Sequence, residues 1–94
     1  MIYISGAVSS DKNYREKFDK AEKYLISKGY EVVNPVKGES EGKSWDYYMK
    51  KDIKKLLECD SIYLLNDYIK SRGALLELKI ALELGYTLIK EGEI

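Results

Sequence analysis

Strand-like and helix-like segments alternate strictly along this chain, and strands separated by helices pair in parallel through right-handed crossovers. Met1 to Ser5 is apolar and rich in β-branched residues, and it stops at Gly6. From Asp11 to Lys28 the period changes: Tyr14, Phe18, Ala21 and Leu25 share one helical face, with Lys and Glu between them. Gly29 reads as the helix stop. Tyr30 to Val33 is a second strand, closed by Asn34-Pro35, where proline has no N–H for a ladder. Val36 to Lys43 is polar, carries Gly38 and Gly42, and reads as a mobile loop. Ser44 suits a helix N-cap, with Asp46 in the first turn. That helix runs to about Glu58 with Trp45, Met49, Ile53, Leu56 and Leu57 as its stripe. Ser61 to Leu65 is nearly continuous in apolar residues, as suits an interior strand covered on both faces. After a loop at Asn66 to Lys70, a helix spans Ser71 to Leu84 and stops at Gly85. Tyr86 to Ile89 is a short fourth strand.

The expected fold class is therefore α/β: an open parallel sheet of about four strands in the order 2-1-3-4, with three helices in a Rossmann-like or flavodoxin-like three-layer arrangement. At 94 residues the chain reads as one domain, residues 1–94. A domain this short buries only about 60–65% of its unfolded surface. Association into a homodimer or higher homo-oligomer is a common remedy for so small a core. Ligands of such sheets bind beyond the carboxyl ends of the strands, where the strand order reverses. Here that crevice falls between strands 1 and 3.

Composition removes several function classes. Basic and acidic residues number 16 each, so no basic excess marks a nucleic-acid binder. There is no histidine and a single cysteine, Cys59. That excludes an intramolecular disulfide and a zinc site of the usual Cys/His kind. No metal or cofactor is expected. The apolar runs fall well short of the roughly 20 residues of a membrane span. The start, Met1-Ile2-Tyr3-Ile4, lacks the form of a signal peptide, so the expected location is cytoplasmic.

Ser71-Arg72-Gly73 opens the last helix beside the crevice. Ser71 can cap it, and free N–H groups in its first turn can hold an anion or a sugar hydroxyl. Glu77 lies one turn after Gly73 and one turn before Ala81, a carboxylate on a stripe of small residues. Leu78 and Leu82 flank that stripe and are expected to face the sheet. Asp52 falls on or beside the apolar stripe of the previous helix. Glu77 is equally compatible with a solvated rim position, and Asp52 with an acid on the stripe's edge that pairs with a lysine. Two carboxylates at one crevice suit glycosidic bond cleavage, one attacking the anomeric carbon or stabilising its positive charge, the other positioning the sugar or moving a proton. Tyr3 could add a hydroxyl near them. Ser5-Gly6-Ala7 and Asn66 border the same crevice.

Taken as an ordered set, these segments resemble the nucleoside 2-deoxyribosyltransferase-like superfamily, and its short branch frequent in phages and bacteria above all. The matching pieces are Ile2-Tyr3-Ile4-Ser5-Gly6, Ala21-Glu22 with Gly29 to Pro35, Met49 to Asp52, Cys59 to Leu65, and Ser71-Arg72-Gly73-Ala74-Leu75-Leu76-Glu77 continued by Ala81 and Gly85. The resemblance implies that Glu77 is a nucleophile forming a covalent ribosyl or deoxyribosyl intermediate. It implies that Asp52 and Tyr3 assist, and that Ser71 and Gly73 bind the sugar or its 5′-phosphate. Arg72, Ser5, Gly6 and Asn66 are further expected substrate contacts, from their place at the crevice. Ser71 stands where the transferases carry Asp, which is more similar to the nucleotide hydrolases of the superfamily. Asp67-Tyr68 stands where the short branch often has Gly-Trp. Three functions stay open on sequence alone: an enzyme acting on a nucleoside or nucleotide, a module that binds a nucleotide or NAD-like ligand without turnover, and a scaffold.

Overall fold

Period-two alternation in the first strand sorts the whole molecule. Ile2 and Ile4 pack on one side of the sheet with Phe18, Ala21, Leu25, Tyr63 and Leu65. Tyr3 points the other way, into a cluster with Leu56, Ile62, Leu64 and Ala81. The computed structural model describes residues 1–94. In chain order it contains β1 (Ile2–Ser5), α1 (Tyr14–Ser27), β2 (Val32–Val33), α2 (Trp45–Leu56), β3 (Ser61–Leu64), α3 (Arg72–Glu83) and β4 (Thr87–Lys90). A 3₁₀ turn at Tyr68–Lys70 precedes α3. All four strands are parallel, in the order β2-β1-β3-β4. Helix α1 covers one face, and α2 and α3 cover the other, so the three-layer α/β fold read from the alternation is the observed one.

The element ends differ from the sequence reading for local reasons. Helix α1 starts at Tyr14 rather than Asp11, because the Asp11 carboxylate accepts from Asn13 N–H at 2.8 Å and holds a turn there. Strand β2 excludes Tyr30, whose N–H is taken by the Leu25 carbonyl as α1 closes. Strand β4 starts at Thr87 because Tyr86 N–H closes the end of α3 on the Ala81 carbonyl at 2.9 Å. Leu82 is a correction: it is 57% exposed. Ala74, Glu77 and Ala81 form the buried stripe of α3, and Leu82 falls one residue past it, rotated toward solvent.

The segment read as a mobile loop is tied down. Val36 is buried in the α1-side core. Arg15 donates to the carbonyls of Val36 (2.8 Å) and Glu39 (3.0 Å). The Tyr48 hydroxyl donates to the Ser40 carbonyl at 2.7 Å, and Lys55 donates to the Pro35 carbonyl at 3.1 Å. No helix is long and apolar enough to cross a membrane.

Candidate active site

The site is assembled from the carboxyl ends of β1 and β2 and the amino end of α3. There a cavity of about 540 Å³ opens, bounded by the loops after β1 and β2, by α2 and by the first turns of α3. It extends over the β2 side of the sheet, wider than the β1–β3 crevice expected from strand order.

Glu77 forms its floor. It is 5% exposed. Tyr3 Oη donates to Glu77 Oε2 at 2.6 Å, and Ser5 Oγ donates to Oε1 at 2.7 Å. The two donors sit at i and i+2 of β1 and so face the same way. Burial pushes the Glu77 carboxyl up to about 7 against the pull of the two hydroxyls, which favour the charged form. Burial also raises the Tyr3 hydroxyl well above its ordinary range, so it stays a donor at neutral pH. Neither hydroxyl carries charge, so Glu77 has hydrogen-bond partners but no counter-ion.

Asp52, from α2, lines the same cavity. Its Oδ1 is buried with no hydrogen-bond partner. Burial, then the nearby Glu39 and Glu77 charges, push it up to about 8, against Lys55 and Lys51. The cavity thus holds one carboxyl poised near neutrality and a second that keeps its proton there.

At the mouth, Ser71 caps α3, its Oγ accepting from Ala74 N–H at 3.1 Å. The N–H groups of Arg72 and Gly73 in that first turn have no acceptor within the protein. The Arg72 guanidinium lies 3.7 Å from the centre of the Trp45 ring and makes no ion pair. A Cβ at Gly73 would meet Met49 Sδ at 2.9 Å, so α2 and α3 approach through the bare glycine.

The structure therefore brings together Tyr3, Asp52, Gly6, Ser71, Arg72, Gly73 and Glu77 around one cavity. Ser5 is not on its wall; it lies behind Glu77 and holds it. Asn66 is outside it altogether. Its side chain is exposed, and its N–H donates to Glu91 at 2.8 Å, past the end of β4. The chain turns away from the crevice one residue after Leu65, which is why position along the loop misplaced it.

Two contributors were missed. Glu39 lines the cavity from the β2–α2 loop; nothing in a polar, glycine-flanked stretch marked it. Asp67 accepts from Ala7 N–H at 3.1 Å and pairs with Lys17, whose ammonium also donates to the Ala7 carbonyl at 2.9 Å. This clamp fixes the β1–α1 loop at the cavity edge. An acid beside the Ser-Arg-Gly segment was visible, but its partner 50 positions away was not.

The parallel 2-1-3-4 sheet with helices on both faces is a fold that this chain shares with a solved 2-deoxyribosyltransferase. The structure matches the 2-deoxyribosyltransferase of Bacillus psychrosaccharolyticus at a TM-score of 0.72 over 99% of this chain and 74% of that one, with 23% sequence identity. The chain itself belongs to the family described as a domain of unknown function, DUF4406, whose model matches residues 1–90. No curated protein matches it.

Proposed function

We propose that this protein cleaves the N-glycosidic bond of a 5′-phosphorylated nucleoside, with Glu77 as nucleophile. The observation that carries the reading is the pairing in one cavity of a buried carboxyl aligned by two hydroxyls with a second carboxyl, Asp52, whose Oδ1 is buried without a partner, an environment that favours its protonated form. Environments that set two carboxyls to opposite tasks support an acid–nucleophile division of labour.

In the first step a Glu77 oxygen bonds to C1′ as the bond from C1′ to the base nitrogen breaks. The bond electrons leave with the base, and the Asp52 proton moves onto it. In the second step water adds to C1′, the Glu77 ester bond breaks, and the water proton returns to Asp52. Tyr3 and Ser5 hold Glu77 in position and favour its ionised form. The cycle needs Glu77 ionised and Asp52 protonated, two conditions that overlap near pH 7 to 8. The open N–H groups of α3 and the Arg72 guanidinium would take the 5′-phosphate. The fold shared with a 2-deoxyribosyltransferase supports nucleoside-type ligands as the class. On this reading the protein works in the cytoplasm, as a homodimer or higher oligomer.

A second reading, binding without turnover, draws on the same contacts: both Glu77 oxygens are already satisfied inside the protein. Chromatography for free base, run over ribo- and deoxyribonucleosides and their 5′-monophosphates, separates the two. Release by the wild type and none by Glu77→Gln supports the glycosidase. A thermal shift with a nucleotide but no free base supports the binding module, and release that survives Glu77→Gln rejects the mechanism.

A further inference from the structure

Two buried side-chain oxygens in this protein have no hydrogen-bond partner, Asp52 Oδ1 and Glu39 Oε1, and both residues line the one cavity. They reach it from separate elements, the middle of α2 and the β2–α2 loop. Burying an acceptor without a donor is costly, and two charged carboxyls facing one low-dielectric space are costlier still. A proton on one of them supplies the donor that this wall lacks. The acids do not gather closely enough for three of them to share a metal ion.

Glu39 is not there by chance of a floppy loop. Arg15 holds its carbonyl and that of Val36, Tyr48 holds the Ser40 carbonyl and Lys55 holds the Pro35 carbonyl. A fifth contact, Val36 N–H to Asn34 Oδ1 at 3.2 Å, fixes the turn that starts the loop.

We propose that Glu39 is a positioning residue whose carboxylate, set into the cavity wall by this anchored loop, keeps the proton on Asp52. The choice of which acid takes the proton follows from their neighbours. Burial raises the Glu39 carboxyl above its ordinary value, while Lys55 and Lys51 of α2 and Arg15 of α1 oppose that rise and favour its charged form. Asp52 is the more strongly displaced of the two, by burial first and then by Glu39 from the loop and Glu77 from α3, with only Lys55 and Lys51 of its own helix opposing. Tyr3 of β1, a neutral hydroxyl, completes the surroundings of Asp52. On this proposal the negative charge sits on Glu39 and the hydrogen on Asp52. The inference rests on the reading of Asp52 as proton donor only for its consequence in catalysis; the proton arrangement is measurable without turnover.

The test is a carboxyl-carbon NMR titration of Asp52 in the wild type, Glu39→Gln and Glu39→Asp, without ligand. Glu39→Gln should lower the Asp52 midpoint by about one pH unit, and Glu39→Asp, which keeps the charge, should restore most of it. In an assay of base release, Glu39→Gln should move the alkaline limb of the pH profile down by the same amount. An Asp52 midpoint equal in the wild type and a folded Glu39→Gln overturns the proposal, whatever the activity. Glu39→Ala, checked for an intact circular dichroism spectrum, serves if the glutamine variant is unstable. A midpoint that moves while the wild type releases no base from any substrate upholds the Glu39–Asp52 relationship and rejects the glycosidase instead.

Discussion

Tyr3 Oη and Glu77 Oε2 lie 2.6 Å apart, joining the first strand to the last helix across 74 positions of sequence. With Ser5 on the other oxygen, this bond fixes where the carboxyl points and how readily it ionises. Tyr3→Phe keeps the ring and removes the donor, leaving a buried carboxyl oxygen unpaired. The expected cost is about 1–3 kcal/mol of stability, read from urea unfolding. Base release should fall by about tenfold or more, because the Glu77 carboxyl rises further and less of it is ionised at neutral pH.

Glu77 and Asp52 give the protein an unusual dependence of stability on pH. Their folded values, about 7 and about 8, lie above their ordinary 4.5 and 3.8. Between those limits the folded protein retains protons that the unfolded chain has released, so rising pH favours unfolding. Thermal stability should therefore fall steadily from pH 5 to pH 8. Asp11, Asp46 and Asp60, shifted downward, act in the opposite sense and only at lower pH. Melting temperatures at pH 5, 6, 7 and 8 check this, and a double Asp52→Asn, Glu77→Gln variant should flatten the decline.

Two glycines on the cavity should respond differently to alanine. A Cβ at Gly6 would meet Leu65 Cδ1 at 2.7 Å and Leu65 Cβ at 2.9 Å. Leu65 is fully buried, so the strand ends must separate. Gly6→Ala should cost about 1–3 kcal/mol. At Gly73 the obstacle is the Met49 thioether, a flexible group, and helix propensity favours alanine. Gly73→Ala should change stability by less than about 1 kcal/mol while weakening nucleotide binding, as followed by calorimetry.

The Arg72 guanidinium lies over the Trp45 ring with no acidic partner. If it receives the 5′-phosphate, Arg72→Ala should weaken binding of a nucleoside 5′-monophosphate by about tenfold or more and leave the unphosphorylated nucleoside nearly unchanged. Equal losses for both ligands would remove Arg72 from phosphate recognition.

Much of the site was legible because its residues sit at fixed points of regular elements. Ser71 follows from cap chemistry, and Glu77 from its place on the small-residue stripe of α3. Tyr3 lies in a strand whose period is two. Asn66 was misplaced and Glu39 overlooked for one shared reason: both lie on irregular backbone, where no period ties a residue to a direction. The anchors that order the β2–α2 loop come from Arg15, Tyr48 and Lys55, on helices before and after it.

The sequence by itself determined the layering and strand order, since apolar periodicity and helix-separated strands leave one economical parallel arrangement. It put Glu77 on the small-residue stripe of its helix, and a solvated rim position stayed equally open. Only the tertiary structure decided what that carboxyl meets. Tyr3 and Ser5 become its partners because β1 lies beside β3, ahead of α3. Asp52 and Glu39 become neighbours because a tethered loop folds back over α2. Those contacts span the chain, and burial at their meeting point, rather than any local residue pattern, sets which acid is ready to ionise and which holds its proton.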